Sequence, residues 1–170
     1  MRAPQIAEEL RARADADQEV RSRLPEQGPW PPEITKEMRA IDTDNTAALR
    51  RIVDAHGWPG HALVGEDGAQ AAYLIAQHSP DPAFQRRARD LLAQAVESGD
   101  ARPSQLAYLT DRCLVAQGEM QLYGTQFYDP HDGAGWRPRP IADVAGLDAR
   151  RAAVGLGPWE QTRAKITGRR

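Results

Sequence analysis

The chain has 170 residues, 41% of them hydrophobic, and a formal net charge of -2. That length suits one domain spanning 1–170 with a core of ordinary size, and the near-neutral balance lacks the basic field that gathers nucleic acid. The lone cysteine, Cys113, excludes an internal disulfide and a cysteine-rich zinc site, and its place in the apolar run LTDRCLVA marks it as packed core.

Residues 4 to 24 form the first expected helix, with Ile6, Leu10, Ala14, Val20 and Leu24 recurring at helical spacing. The segment EQGPWPP ends it. A second helix is expected from Pro32, a residue suited to a first turn, to about His56, with Ile34, Met38, Ile41, Leu49 and Ile52 as its stripe. After the stop GWPG, a loop HALVGEDG leads into a third helix, AQAAYLIAQH, apolar nearly all round and therefore central. Ser79 and Pro80 break the chain before a fourth helix from about Asp81 to Ser98. Pro103 and Ser104 open a fifth that runs to Gln117, with Gly118 as its stop.

Beyond Gln121 the aromatic, alternating QLYGTQFYD, the turn-rich DPHDGAG and GWRPRPI predict an irregular β-hairpin or extended segment. Pro138 and Pro140 restrict the second arm to an edge. Short helices are expected from Asp148 to about Gly155 and from Pro158. The fold class is thus mainly α: a bundle of about five helices with a small irregular hairpin near the C-terminus, and residues 128–170 an extension packed on it.

Polar residues that interrupt apolar stripes carry the functional signal. Asp17 falls three residues after Ala14 and three before Val20. Asn45 lies four after Ile41 and four before Leu49. Asp111 and Arg112 sit among Ala107, Tyr108, Leu109, Leu114 and Val115 but point about 100° apart, so each needs a partner from another element. A buried charge without one costs several kcal/mol. Asp17, Arg21, Asn45, Gln77 and the polar members of YGTQ are the candidate partners.

His78 ends the central helix beside Gln77. Its ring is either a general acid or base tuned by nearby carboxylates or a last-turn residue that contacts the final carbonyls. Gln121, Tyr123, Thr125 and Gln126 bring two amides, a phenol and a hydroxyl suited to orienting a small ligand, or else Tyr123 packs on the helices and Gly124 permits a bulge or close backbone approach; in a strand Gln126 would face away from the others. Glu66 and Asp67 are expected as helix-capping carboxylates; glycine spacing rules out a P-loop or dinucleotide fingerprint. His56, His61, His78 and His131 are scattered without HExxH or another helical pair, so no metal or other cofactor is expected.

GWPG at 57–60, LVGEDG at 63–68, QHS at 77–79, YLTDR at 108–112 and QLYGTQF at 121–127 resemble the motifs of a bacterial family classed as a domain of unknown function. The resemblance spans about 15–127. It implies no activity, but it coincides with Gln77, His78, Asp111, Arg112, Tyr123, Thr125 and Gln126, and it leaves the segment after Phe127 without an inherited role.

The expectation is a cofactor-free enzyme of hydrolase or lyase type acting on a small polar or anionic substrate. His78 would be acid or base and Asp111 its orienter. Arg112, Gln77, Tyr123, Thr125, Gln126, Asn45 and Asp17 would hold the substrate. The alternative is a non-catalytic ligand-binding or protein-interaction module whose polar network is structural. No apolar run approaches the roughly 20 residues needed to cross a bilayer, and MRAPQIAEEL lacks a signal-peptide centre. A cytoplasmic location with no membrane partner is therefore expected.

Overall fold

A computed structural model describes residues 2–25, 29–130 and 135–168. Residues 26–28 of the expected break EQGPWPP and residues 131–134 of the expected turn DPHDGAG, His131 among them, lie outside the described residues. Two compact units emerge from the contacts, Met1–Leu24 with Trp30–Arg102, and Pro25–Pro29 with Pro103–Arg170. Among the described residues there are seven α-helices and one two-stranded hairpin, so the fold is mainly α. None of these described helices is long and apolar enough to cross a membrane.

The first unit packs α1 (Pro4–Ser22), α2 (Pro32–His56), α3 (His61–His78) and α4 (Pro82–Glu97). Its core follows the apolar stripes: Leu10 and Val20 of α1, Leu49 and Ile52 of α2, Ala72 and Ile75 of α3, and Phe84 and Leu92 of α4 are all buried. Prolines begin α1, α2 and α4, where the missing N–H has no intrahelical partner to lose. Asp81 caps α4 by accepting from Ala83 N at 2.9 Å and Phe84 N at 3.0 Å.

The segment 61–68, expected as a loop, is helical. Asp100 makes the difference: its carboxylate accepts from Ala62 N at 2.6 Å and its carbonyl from His61 N at 2.9 Å. A cap supplied from nearly forty positions away leaves no local sequence signal. At Gly65 the backbone turns to φ 74° and ψ 176°, a kink that glycine adopts without the Cβ penalty of other residues. Glu66, expected as a cap, instead forms an exposed ion pair with Arg102.

The second unit contains α5 (Pro103–Ala116), β1 (Phe127–Tyr128), β2 (Arg137–Pro138), a 3-10 turn at Val144–Gly146, α6 (Leu147–Ala153) and α7 (Trp159–Thr167). The hairpin is antiparallel, with Phe127 opposite Pro138 and Tyr128 opposite Arg137. Pro138 sits in a two-stranded sheet whose strands are both edges, where a missing donor is tolerated. The strand begins only at Phe127, so 122–126 does not alternate as a strand would. It is a turn wound around a carboxylate.

Candidate functional site

In the first unit, three helices bring four ionisable side chains together. Asp17 and Arg21 are one turn apart on α1, Asp42 comes from α2, and His78 ends α3. Asp17 Oδ2 lies 2.7 Å from His78 Nδ1 and accepts from Gln18 Nε2 at 2.8 Å. Its other oxygen accepts from Arg21 Nε at 2.7 Å. The same guanidinium reaches Asp42, donating through one terminal nitrogen at 2.7 and 2.9 Å to the two carboxylate oxygens.

Exposure is graded across the cluster. The Asp17 side chain is 3% exposed, Asp42 13%, His78 20% and Arg21 23%. The buried carboxylate therefore has partners that reach solvent. No described residue hydrogen-bonds to the other ring nitrogen of His78, Nε2, and the ring is half-buried. Just behind it, Thr46 Oγ1 sits 2.9 Å from Ser79 Oγ and 2.7 Å from the Asp42 carbonyl, tying α2 to the end of α3.

The two carboxyls titrate in opposite directions. Burial pushes Asp17 upward, but the hydrogen bond and charge of His78, joined by those of Arg21, outweigh it and hold Asp17 well below the ordinary carboxylate range. For Asp42 burial dominates and raises its pKa. Arg21 pulls it back, the charge of Asp17 adds to the rise, and the net direction is up.

The remaining predicted site residues are placed elsewhere. Asn45 is buried and exchanges 3.3 Å hydrogen bonds with Arg13, at the edge of an open groove of about 450 Å3 between α1 and α2. Ala12, Ala16, Ala40 and Ile41 line that groove; Asp17, Asp42 and His78 do not. Gln77 is buried, and its side-chain oxygen has no hydrogen-bond partner among the described residues.

Asp111, Arg112, Tyr123, Thr125 and Gln126 belong to the second unit. Asp111 is fully buried, and its carboxylate accepts from Leu122 N at 2.7 Å, Tyr123 N at 3.1 Å, Thr125 N at 3.0 Å and Thr125 Oγ1 at 2.9 Å. Orientation of the Gln126 side chain comes from Thr125, at 3.0 Å. Tyr123 and Arg112 are half-buried. Gly124 stands at φ +67° with Trp159 against it, where a Cβ would meet the indole at 2.8 Å.

Two arginines unmarked in the sequence hold this turn. Arg151, buried, donates to the Tyr123 carbonyl at 2.6 Å, the Gly157 carbonyl at 2.7 Å and Thr162 Oγ1 at 2.6 Å. Arg150 donates to the carbonyls of Leu122 at 3.0 Å and Ala142 at 2.8 Å. Their signal was faint: Arg151 lies one turn after Leu147 in a short helix and shares its buried face. Asp42 was more legible, being four residues after Met38 and seven before Leu49, both buried.

A family of unknown function, DUF6624, matches the chain over residues 4–166. The match runs past both ends of the motif resemblance at 15–127 and takes in the hairpin, α6 and most of α7. No curated protein and no solved structure matches the chain.

Proposed function

This chain belongs to that family of unknown function, and on the geometry of its own residues we propose that it is an acid–base enzyme of hydrolase or lyase type, acting on a small polar substrate at His78. The observation that carries the proposal is the 2.7 Å contact of His78 Nδ1 with the buried Asp17, on a ring whose Nε2 no described residue engages. Asp17 fixes the tautomer with the proton on Nδ1, so that Nε2 is the basic nitrogen. That nitrogen takes a proton from water or from an acidic C–H of the substrate and returns it to the leaving group, while Asp17 stabilises the imidazolium formed in between.

Asp17 thus takes the orienting role expected of Asp111, whose oxygens are engaged by backbone N–H groups. Arg21, 23% exposed, supplies a cation beside the ring for an anionic group on the substrate. In this reading Arg112, Gln77, Tyr123, Thr125, Gln126 and Asn45 have no assigned contact with the reacting atoms.

A panel of activated carboxylic esters, amides, phosphate mono- and diesters and β-elimination substrates tests the proposal. His78→Ala is expected to lower turnover of the responsive class by about 10²–10⁴-fold while the protein remains folded. Full activity in that variant would overturn it. A second reading is favoured by Arg21, which spans Asp17 and Asp42 and so pins α1 to α2: the cluster would be a helix clamp in a non-catalytic module. Absence of turnover throughout the panel, with marked destabilisation by His78→Ala, would select that reading.

A further inference from the structure

The cluster assembles a ligand set that the scattered histidines of the sequence did not suggest. Asp17, Asp42 and His78 each offer one ligand atom, and these atoms lie within 4.8 Å of one another. Three different helices supply them, so the set is positioned by packed backbone. The donors are one imidazole nitrogen and two carboxylate oxygens, the composition that suits first-row divalent cations such as Zn2+ or Mn2+ better than Mg2+ or Ca2+, which favour all-oxygen shells. We propose that Asp17, Asp42 and His78 form a binding site for one divalent transition-metal cation, for which the Arg21 guanidinium is the built-in stand-in.

Three features support the assignment. Metal–ligand bonds of about 2.0–2.2 Å place neighbouring donor atoms about 3–4 Å apart, so closing the observed set requires only side-chain rotation. Arg21 already lies across both carboxylates, 2.7 Å from Asp17 and from Asp42, which shows that the position between them takes a cation. One guanidinium offsets only one of the two carboxylates, whereas a divalent ion offsets both. Arg21 also has an exit: its side chain is 23% exposed and hangs from the same helix as Asp17, so it can swing into solvent without moving the backbone. Three protein ligands would leave further coordination positions for water.

The site is shared with the proposed acid–base centre, but binding does not depend on turnover. His78 Nδ1 has two alternative partners, the Asp17 carboxylate or the cation. The test is calorimetric titration of chelator-treated protein with Zn2+ and, separately, Mn2+. One equivalent is expected to bind, with at least tenfold weaker affinity in Asp42→Asn and in His78→Ala. Arg21→Ala is expected to bind several-fold more tightly, because the competing cation is gone. Failure to saturate at one equivalent would overturn the site, as would affinity indifferent to Asp42→Asn and His78→Ala.

The unsubstituted protein gives an answer even where a variant does not fold. Mn2+ should broaden the amide resonances around Asp17, Asp42 and His78 first, and broadening centred on His56 or His61 instead would place the ion elsewhere and end the proposal. The two proposals fail separately. His78-dependent turnover that ignores both metal and chelator removes the cation site alone. Stoichiometric metal binding without any turnover removes the enzyme alone.

Discussion

Asp17 and Asp111 are both buried carboxylates on helices, 2% and 0% exposed, yet they belong to different kinds of network. Asp111 is surrounded by the backbone N–H groups of Leu122, Tyr123 and Thr125 and the Thr125 hydroxyl, none of which titrates in the ordinary pH range. Asp17 is surrounded by the side chains of His78, Arg21 and Gln18, which reach solvent or can move. A carboxylate bonded to backbone shapes a turn. One bonded to an imidazole and a guanidinium can exchange protons or partners, and that is why the functional proposals rest on α1, α2 and α3.

The contrast breaks most sharply under substitution. Asp111→Ala leaves four donors in the 122–125 turn without their acceptor, and it is expected to cost about 3 kcal/mol or more. Urea unfolding would measure it. A loss below 1 kcal/mol would show that water or another acceptor replaces the carboxylate. Arg151→Ala attacks the same turn from its carbonyl side, orphaning acceptors at Tyr123 and Gly157, with an expected loss of about 2–3 kcal/mol by the same measurement.

Asp17→Asn should have a smaller effect, about 1–2 kcal/mol at neutral pH, and, unlike either change in the second unit, one that depends on pH. The Asp17 pKa is lower folded than unfolded, so its contribution is fully present above the ordinary aspartate range and is lost as pH falls toward its depressed folded value. Melting temperatures of the wild type and Asp17→Asn should therefore converge on acidification. A gap that stays constant from pH 7 to 3 would contradict the pairing.

The smallest and opposite effect is expected at Asp42. Its folded pKa is raised, so the ionised form carries a penalty in the folded state above that pKa, and the penalty disappears as pH falls below the ordinary aspartate value. Asp42→Asn should be neutral or slightly stabilising at pH 7, by less than about 1 kcal/mol. The difference should vanish in acid. Clear destabilisation at pH 7 would mean that the Arg21 bridge outweighs the cost of burying Asp42.

Much of the first unit was legible in the sequence because its signals are local. Apolar spacing and prolines marked α1 and α2, and Asp81 just before Pro82 marked the start of α4. The first turn of α3 was not legible, since its cap comes from Asp100. Within the candidate site, Asp17 and His78 stood out as a stripe interruption and a helix-terminal imidazole, but their contact spans 61 positions and has no sequence period. Asp42 lay unnoticed at the head of the polar run DTDN at 42–45. Tyr123, Thr125 and Gln126 looked like ligand-positioning groups because the sequence does not display the backbone amides that occupy Asp111.

By itself the sequence determined the helical class, most helix boundaries and the burial of Asp17, Asn45 and Asp111, because periodicity and capping act within a few residues along the chain. Tertiary structure alone decided which partners those polar groups have. A buried charge must be compensated, but nothing local states whether a histidine, an arginine or a row of backbone amides does so. That choice separates the Asp17 cluster from the Asp111 turn, and it depends on which helix ends and loops the fold brings within about 3 Å of each carboxylate.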